Sequence, residues 1–294
     1  MLNLTHLKVL HAVAQHGSVT EAARALHYSQ PSVSHHLSRL EAATGAKLVQ
    51  RVGRGIRLTP EGQLLAHRAA EIVGRVDAAA NELAAQVGLQ SGRVRVAANA
   101  SVLSTLVLRA ADALDSAHPG IELGLVDCHP VEALQMLRHG EIDVALAFRH
   151  VDATDQHEDV RTLDLVEEPV YLVTQRPGES LADHRRSAWI GGCDHCQQEL
   201  FAICRRDGFA PDIGSLSDDI VVVQAMVAAG VGVATLPGLA LQAHRHPGVH
   251  TTELVGCERQ IYAATYGEPP DPPAVAAVLS ALAAAAPTSG NDSA

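Results

Sequence analysis

Val19–Arg39, VTEAARALHYSQPSVSHHLSR, is the stretch whose reading decides the fold. Val33, Leu37 and Leu40 recur at i, i+4 and i+7, the spacing of one buried stripe on a helix. At about 100° per residue, Pro31, Ser34, His35 and Ser38 then point away from that stripe. Short hydroxyls and an imidazole stand there instead of the Glu and Lys common on surface helices, and small polar groups approach base edges closely. A plain solvated face is the other reading of the same residues. Ser18 with Glu21 fits a capping box, Gly17 stops the preceding helix, and Ser29 with Pro31 opens the second one. Only His27 and Tyr28 are expected between the two helices, which forces a steep crossing: a helix-turn-helix.

The longer run GSVTEAARALHYSQPSVSHHLSRLEAATGAKLVQR (17–51), followed by GRGIRLTPEG (53–62), resembles the DNA-binding domain of LysR-type transcriptional regulators. The match is long, ungapped and far more restrictive than a bare helix-turn-helix pattern. Further on, GEIDVALA (140–147) and VVVQAMVAAGVGVATLP (221–237) resemble the effector domain of the same family, so the likeness covers nearly the whole chain. It implies an α/β fold class: an N-terminal winged helix-turn-helix, a long linker helix, and a periplasmic-binding-protein-like effector domain of two α/β lobes joined by a two-stranded hinge. It also implies DNA contact by Ser29, Gln30, Pro31, Ser34, His35, Ser38 and Arg39, of which Gln30, Pro31, Ser34 and His35 face the major groove, while Arg51, Arg54 and Thr59 hold the backbone. Family members commonly carry Arg where His35 stands, which leaves the base preference at that position open.

Composition bounds the class. With 294 residues, 47% of them hydrophobic and 19% charged, the chain is globular and long enough for two or three domains. A net charge of -11 argues against a nucleic-acid partner until its distribution is seen. Residues 1–60 hold seven Lys or Arg against two Glu, a balance of +5, so the remainder carries -16. A basic head on an acidic body suits a DNA reader with a separate regulatory module. No signal peptide or long apolar run is found, so the expectation is a cytoplasmic protein with no membrane partner. Five cysteines, an odd number, do not make a secreted disulfide framework.

In chain order, Leu7, Leu10, Val13 and Ala14 predict a helix over Leu4–His16 that supports the two others. Lys47–Leu58 reads as a hairpin wing carrying Arg51, Arg54 and Arg57, with Gly53 and Gly55 at the bend. Such arginines suit phosphate or minor-groove contact, or simply a solvated basic loop. Thr59 and Pro60 open a helix running to about Gln86. Its residues Leu65, Ala69, Ile72, Val76, Ala79 and Leu83 step by 4, 3, 4, 3 and 4, a heptad seam. A helix of roughly 40 Å is too long for a sixty-residue domain to cover. Leu65, Ile72, Val76 and Leu83 are therefore expected to meet a second copy of the chain, with packing against the chain's own remaining domain as the alternative. The expected domains are 1–58 (DNA-binding), 59–88 (linker and dimerisation) and 89–286 (effector), with a hinge at 88–92 and a disordered tail at 287–294.

From Arg93, β-rich runs alternate with helices, which predicts parallel sheets: a first lobe over about 93–160 and 268–286, a second over about 164–266. Ligands gather beyond the carboxyl ends of such strands. Those ends are Asn99–Ser101, Asp127–His129, Phe148–Arg149 and Gly192–Asp194. The candidate effector-binding residues are Asn99, Ala100, Ser101, Cys128, Arg149 and Cys193. Ser101 suits either an anion or an N-cap, and Arg149 either a carboxylate clamp or a salt bridge. The family likeness implies a small-molecule effector, with organic acids prominent among inducers.

Cys193 and Cys196 form a C-x-x-C opening a helix, with Cys204 beyond; the spacing suits a disulfide or half a zinc site, and a helix N-terminus lowers a thiol pKa. Core cysteines are the plainer reading. His244, His246 and His250 match no ligand spacing, so neither a metal site nor a cofactor is assigned. Enzyme motifs are missing: no G-x-S-x-G, no G-x-x-x-x-G-K-[ST], no H-E-x-x-H. The expectation is a ligand-responsive regulator that binds an inverted-repeat site on double-stranded DNA as a dimer or tetramer, and is not an enzyme; contact with RNA polymerase is left open. One alternative keeps the DNA head but switches through cysteine redox chemistry or a metal; another is a ligand-binding α/β protein without DNA activity.

Overall fold

The computed structural model describes residues 2–52, 55–86, 92–150, 160–267 and 269–286. The chain forms two compact units, 1–92 with 135–143, and 93–134 with 144–294. The expected tail 287–294 and, apart from Gly92, the expected hinge 88–92 lie outside the described residues.

The first unit begins with three helices, α1 (Leu4–His16), α2 (Val19–Ala25) and α3 (Gln30–Thr44), each started and stopped by local chemistry. Asn3 Oδ1 accepts from the Thr5 amide at 2.9 Å, and Ser29 Oγ accepts from the Ser32 amide at 3.3 Å. Gly17 (φ 61°) and Gly45 (φ 71°) end α1 and α3 in the left-handed region that glycine enters without a Cβ clash. The capping box of α2 is only half formed. Ser18 Oγ accepts from the Glu21 amide, but the Glu21 carboxylate takes Arg24 at 2.6 Å instead of reaching back. The turn between α2 and α3 spans Leu26–Ser29, longer than expected, with His27 at φ 55°. Val33, Leu37 and Leu40 bury their stripe against Leu7, Leu10 and Val13, as their spacing requires.

A hairpin follows, β1 (Val49–Val52) paired antiparallel with β2 (Gly55–Leu58), and then α4 (Pro60–Gln86). Glu41 fastens the hairpin to α3: its carboxylate accepts from the Leu48 amide at 2.9 Å, the Val49 amide at 3.3 Å and Lys47 Nζ at 2.9 Å. Burial pushes this carboxyl up, but the hydrogen bonds from Lys47, Leu48 and Val49 outweigh it and hold it below the usual carboxylate range. Thr59 joins the hairpin to α4, donating to the Lys47 carbonyl at 2.6 Å and accepting from the Gly62 amide at 3.0 Å. The joint is so close that a Cβ on Gly62 would sit 2.0 Å from the Leu48 carbonyl oxygen. Ala66 and Ala69 of α4 complete this core, with Leu65 half-buried against it.

After α4 the chain runs β3 (Gly92–Ala98), α5 (Ala100–Val102), a π-helical segment (Leu103–Val107), α6 (Leu108–Ala117), β4 (Ile121–Asp127), α7 (Pro130–Arg138), whose residues from Gln135 belong to the first unit, β5 (Val144–His150) and β6 (Val160–Glu168). It continues through β7 (Val170–Thr174), β8 (Ala188–Gly191), α8 (Asp194–Arg206), β9 (Asp212–Leu216), α9 (Ile220–Ala228), β10 (Ala234–Pro237), α10 (Gly238–Ala243), β11 (His250–Glu253), β12 (Arg259–Tyr266) and α11 (Pro273–Ala285). The first lobe is a five-stranded sheet of order β4-β3-β5-β12-β6, with Val278 and Leu282 of α11 in its core. The second lobe pairs β10-β7-β11 antiparallel and β8-β9 parallel, linked by a bridge from Trp189 to Val233.

Two expectations are corrected. The sheets are mixed, not parallel, because β12 returns from the second lobe at the end where β5 finishes; Arg259 lies opposite His150, so β12 runs antiparallel to β5. Strands β6 and β12 both hydrogen-bond into the first sheet, so the chain crosses between lobes at 168–170 and 254–259 and not near 160–164 and 266–268. Two chain passages therefore join the lobes.

Candidate functional site

On α3 the residues expected at the groove stand clear of the core. Ser29, Gln30, Pro31, Ser34, His35, Ser38 and Arg39 are all exposed, whereas Val33 and Leu40 are 0% exposed. Ser38 Oγ donates to the Ser34 carbonyl at 3.0 Å, a bond that leaves the face small and smooth. His36, not singled out from the sequence, turns beneath this face, its ring 5.2 Å from His6 and 5.6 Å from Tyr28. Burial and then the neighbouring His36, Arg39 and His35 push the His6 pKa down. Thr59 is used within the chain, at the joint of hairpin and helix. Arg57 is exposed on β2; of Arg51 only the backbone is described, and Arg54 lies outside the described residues.

Along α4 the seam divides in two. Leu65 and Ala69 belong to the core of the first unit, so Leu65 is not left over for a partner helix. Ile72 (39% exposed), Val76 (43%) and Leu83 (66%) remain uncovered.

In the second unit a cavity of about 330 Å³ opens between the lobes, beyond the strand ends. Asn99, Ala100, Ser101, Cys128 and Cys193 all line it. Arg149 is not among the lining residues: its guanidinium donates to Asp164 at 2.6 Å and lies 4.9 Å over the Tyr262 ring. The carboxylate-clamp reading of Arg149 is corrected on that ground; neighbours on its own sheet occupy it.

The cavity's arginine is Arg259, which the sequence reading missed. Its Nε donates to Glu168 Oε1 at 2.7 Å, with both side chains nearly inaccessible at 4% and 3%. Glu168 Oε2 accepts from the Leu239 amide at 2.8 Å, and the guanidinium lies 4.1 Å over the Phe148 ring. Ser101, 2% exposed, receives Asn99 Nδ2 at 3.0 Å and Arg259 Nη2 at 3.5 Å. Ser101 is thus part of the buried floor of the cavity and not an N-cap.

Thiols and an imidazole gather on one wall. Cys193 Sγ and Cys196 Sγ are 3.3 Å apart, and His129 Nε2 lies 3.7 Å from Asp218 Oδ2. Among the described residues, His129, Cys193 and Asp218 are the group whose ligating atoms come together, all within 4.8 Å of one another. His244, His246 and His250 do not assemble in this way; His246 Nδ1 accepts from the Gly248 amide at 3.0 Å. Burial, with the Cys193 thiol next, pushes Cys196 up to about 12, and burial pushes Cys128 and Cys204 to about 11. The lowering expected at a helix N-terminus is therefore reversed at Cys196 by loss of solvent. Cys204, fully buried, is a core residue.

A surface-exposed recognition helix in a helix-turn-helix head and a cavity between two α/β lobes define a ligand-responsive DNA-binding regulator. Residues 4–63 match the family model described as "Bacterial regulatory helix-turn-helix protein, lysR family", and residues 88–287 match that of the LysR substrate binding domain. The chain belongs to the LysR family of transcriptional regulators. It is similar to the HTH-type transcriptional regulator MetR of Salmonella typhimurium, 25% identical over 263 residues that cover 87% of this chain and 81% of that protein. It is also similar to CfxR of Cupriavidus necator, 32% identical over 171 residues, 58% of this chain and 50% of that protein. The fold is that of full-length CbnR complexed with its target DNA (TM-score 0.68, 22% identity, covering 97% of this chain and 100% of that one). It is likewise that of full-length OxyR from Pseudomonas aeruginosa (TM-score 0.71, 22% identity, 96% and 95%). These relatives are regulators and not enzymes, and among the described residues no helix is long and apolar enough to cross a membrane.

Proposed function

We propose that this protein binds an inverted-repeat promoter site as a dimer or tetramer, and that a small molecule held in the cavity between the lobes sets its activity. The observation that carries the reading is α3, which buries Val33, Leu37 and Leu40 and leaves Ser29, Gln30, Pro31, Ser34, His35, Ser38 and Arg39 free for a major groove. Arg51, Arg54 and Arg57 of the hairpin would neutralise phosphates. In this reading 1–58 is the DNA-binding domain, 59–88 the linker helix and 89–286 the effector domain, acting in the cytoplasm with RNA polymerase as a further partner. Ile72, Val76 and Leu83 supply the pairing surface, since three exposed apolar residues in one seam need a cover and a second copy provides the same seam. Effector binding would favour one of two conformations of the linked heads, by as much as its affinity for them differs.

The test is a gel shift and footprint of the full chain on promoter DNA at stated salt. Expected are a dyad-symmetric footprint, a loss of affinity in His35→Ala, and a shallower salt dependence in Arg54→Ala. A protein that protects no dyad-symmetric site would contradict the proposal. In sedimentation, Val76→Glu is expected to shift the protein towards monomer.

A further inference from the structure

We propose that the effector of this cavity is a thiophilic divalent cation of the zinc class, bound by His129, Cys193 and Asp218 with a water as the fourth ligand. This rests on reading the cavity as the effector site. The three primary ligands come from separate elements: His129 precedes α7, Cys193 caps α8, and Asp218 lies between β9 and α9. Their ligating atoms already lie within 4.8 Å of one another. Tetrahedral bonds of about 2.0–2.3 Å separate neighbouring ligand atoms by roughly 3.3–3.8 Å. The His129–Asp218 separation of 3.7 Å already lies within that range.

The charge of the cavity is a second, independent observation. Asp127, Glu132, Glu199 and Asp218 line it, and the guanidinium in the lining, Arg259, is already engaged by Glu168. An anionic effector would meet these carboxylates without an uncommitted arginine among the described lining residues, whereas a cation meets them favourably. The donor set selects the kind of cation. A thiolate and an imidazole suit zinc and its neighbours, while magnesium and calcium demand oxygen. Binding displaces the Cys193 thiol proton to solvent as the metal–sulfur bond forms; no electron moves, so no oxidant is required. Because His129 belongs to the first lobe and Cys193 and Asp218 to the second, the ion bridges the lobes and favours the conformation in which both sides reach it.

The experiment titrates cobalt(II) into the full-length protein, stripped by chelator and kept under a non-thiol reductant, and then displaces it with zinc. One equivalent per chain is expected to raise thiolate-to-cobalt charge-transfer absorption with intense four-coordinate visible bands. Loss of an outer-shell partner already weakens metal sites about 10–100-fold, so Cys193→Ser and Asp218→Asn are expected to weaken binding at least about tenfold. Asp218 is exposed on a loop, so its variant carries the test should Cys193→Ser fail to fold, as circular dichroism would reveal. No charge-transfer band, or an unchanged band and affinity in both variants, overturns the site and places any cobalt on others of the 17 histidines. Zinc is further expected to change operator affinity by about fivefold or more; a bound ion that leaves operator affinity unchanged overturns its role as effector. An operator footprint without a cobalt band removes the cation and leaves the DNA-reading proposal standing, whereas a cobalt band without any footprint removes the DNA reading.

Discussion

The recognition face and the effector cavity are built in opposite ways. The face on α3 is one unbroken segment, Ser29–Arg39, whose exposed residues are neighbours in sequence and whose support is a single apolar stripe. The cavity draws Ser101, His129, Cys193, Asp218 and Arg259 from five places along the chain, and the buried ion pair that holds its arginine joins residues 91 apart. A surface read by DNA needs only one helix held rigid, so local rules suffice. An enclosed site needs groups converging from several strand ends, and its strength depends on pairs that only the finished fold creates.

The largest effect separating the two regions should come from the cavity floor. Arg259→Met leaves Glu168 buried without its cation, and breaking such a pair costs about 3–5 kcal/mol. Urea denaturation followed by the fluorescence of Trp189, the single tryptophan and fully buried, measures this directly. In the head, Leu40→Ala should cost about 2–5 kcal/mol through the cavity it leaves. His35→Ala, one turn away and exposed, should stay within about 0.5 kcal/mol of the parent while losing operator affinity. If the two substitutions proved equally destabilising, the division of α3 into core and reading faces would be wrong. Ser29→Ala removes an N-cap and should cost about 1 kcal/mol, seen as a lower Tm for the head.

The smallest effect is one of pH. Because the folded Glu41 carboxyl is held below its ordinary value, its contribution is present above the unfolded pKa and lost as pH falls through the folded one. Glu41→Gln should therefore destabilise the head at neutral pH and flatten the acid limb of its stability profile. An acid limb that is unchanged in Glu41→Gln would mean that other carboxylates govern it.

Helices, caps and the hairpin of the head were legible because each signal is local: Leu4–His16, Ser29 before Pro31, Gly45, and Thr59 before Pro60 all act within a few residues. The length of α4 and its seam were legible for the same reason, but not that Leu65 would be taken by the head's own core, which depends on where Leu48 and the hairpin come to rest. In the effector domain, the rule that ligands meet strand ends placed Asn99, Ser101, Cys128 and Cys193 at the cavity. The same rule put Arg149 there, because nothing in its neighbours reveals Asp164 across the sheet. Arg259 and Asp218 gave no local sign: one depends on Glu168, the other on a loop folded towards His129 and Cys193. The antiparallel return of β12 was likewise invisible, since alternating strands and helices imply parallel order unless the chain leaves the lobe and comes back.

The central claim is that a free helical face on α3 reads duplex DNA. Quantitative footprinting of the full-length protein on promoter fragments, with His35→Ala and Ser34→Ala beside it, tests this most directly. The account predicts protection of two half-sites about one helical turn apart, weakened in both variants at unchanged fold stability. Protection without dyad symmetry, or an identical footprint and affinity in both variants, would contradict it.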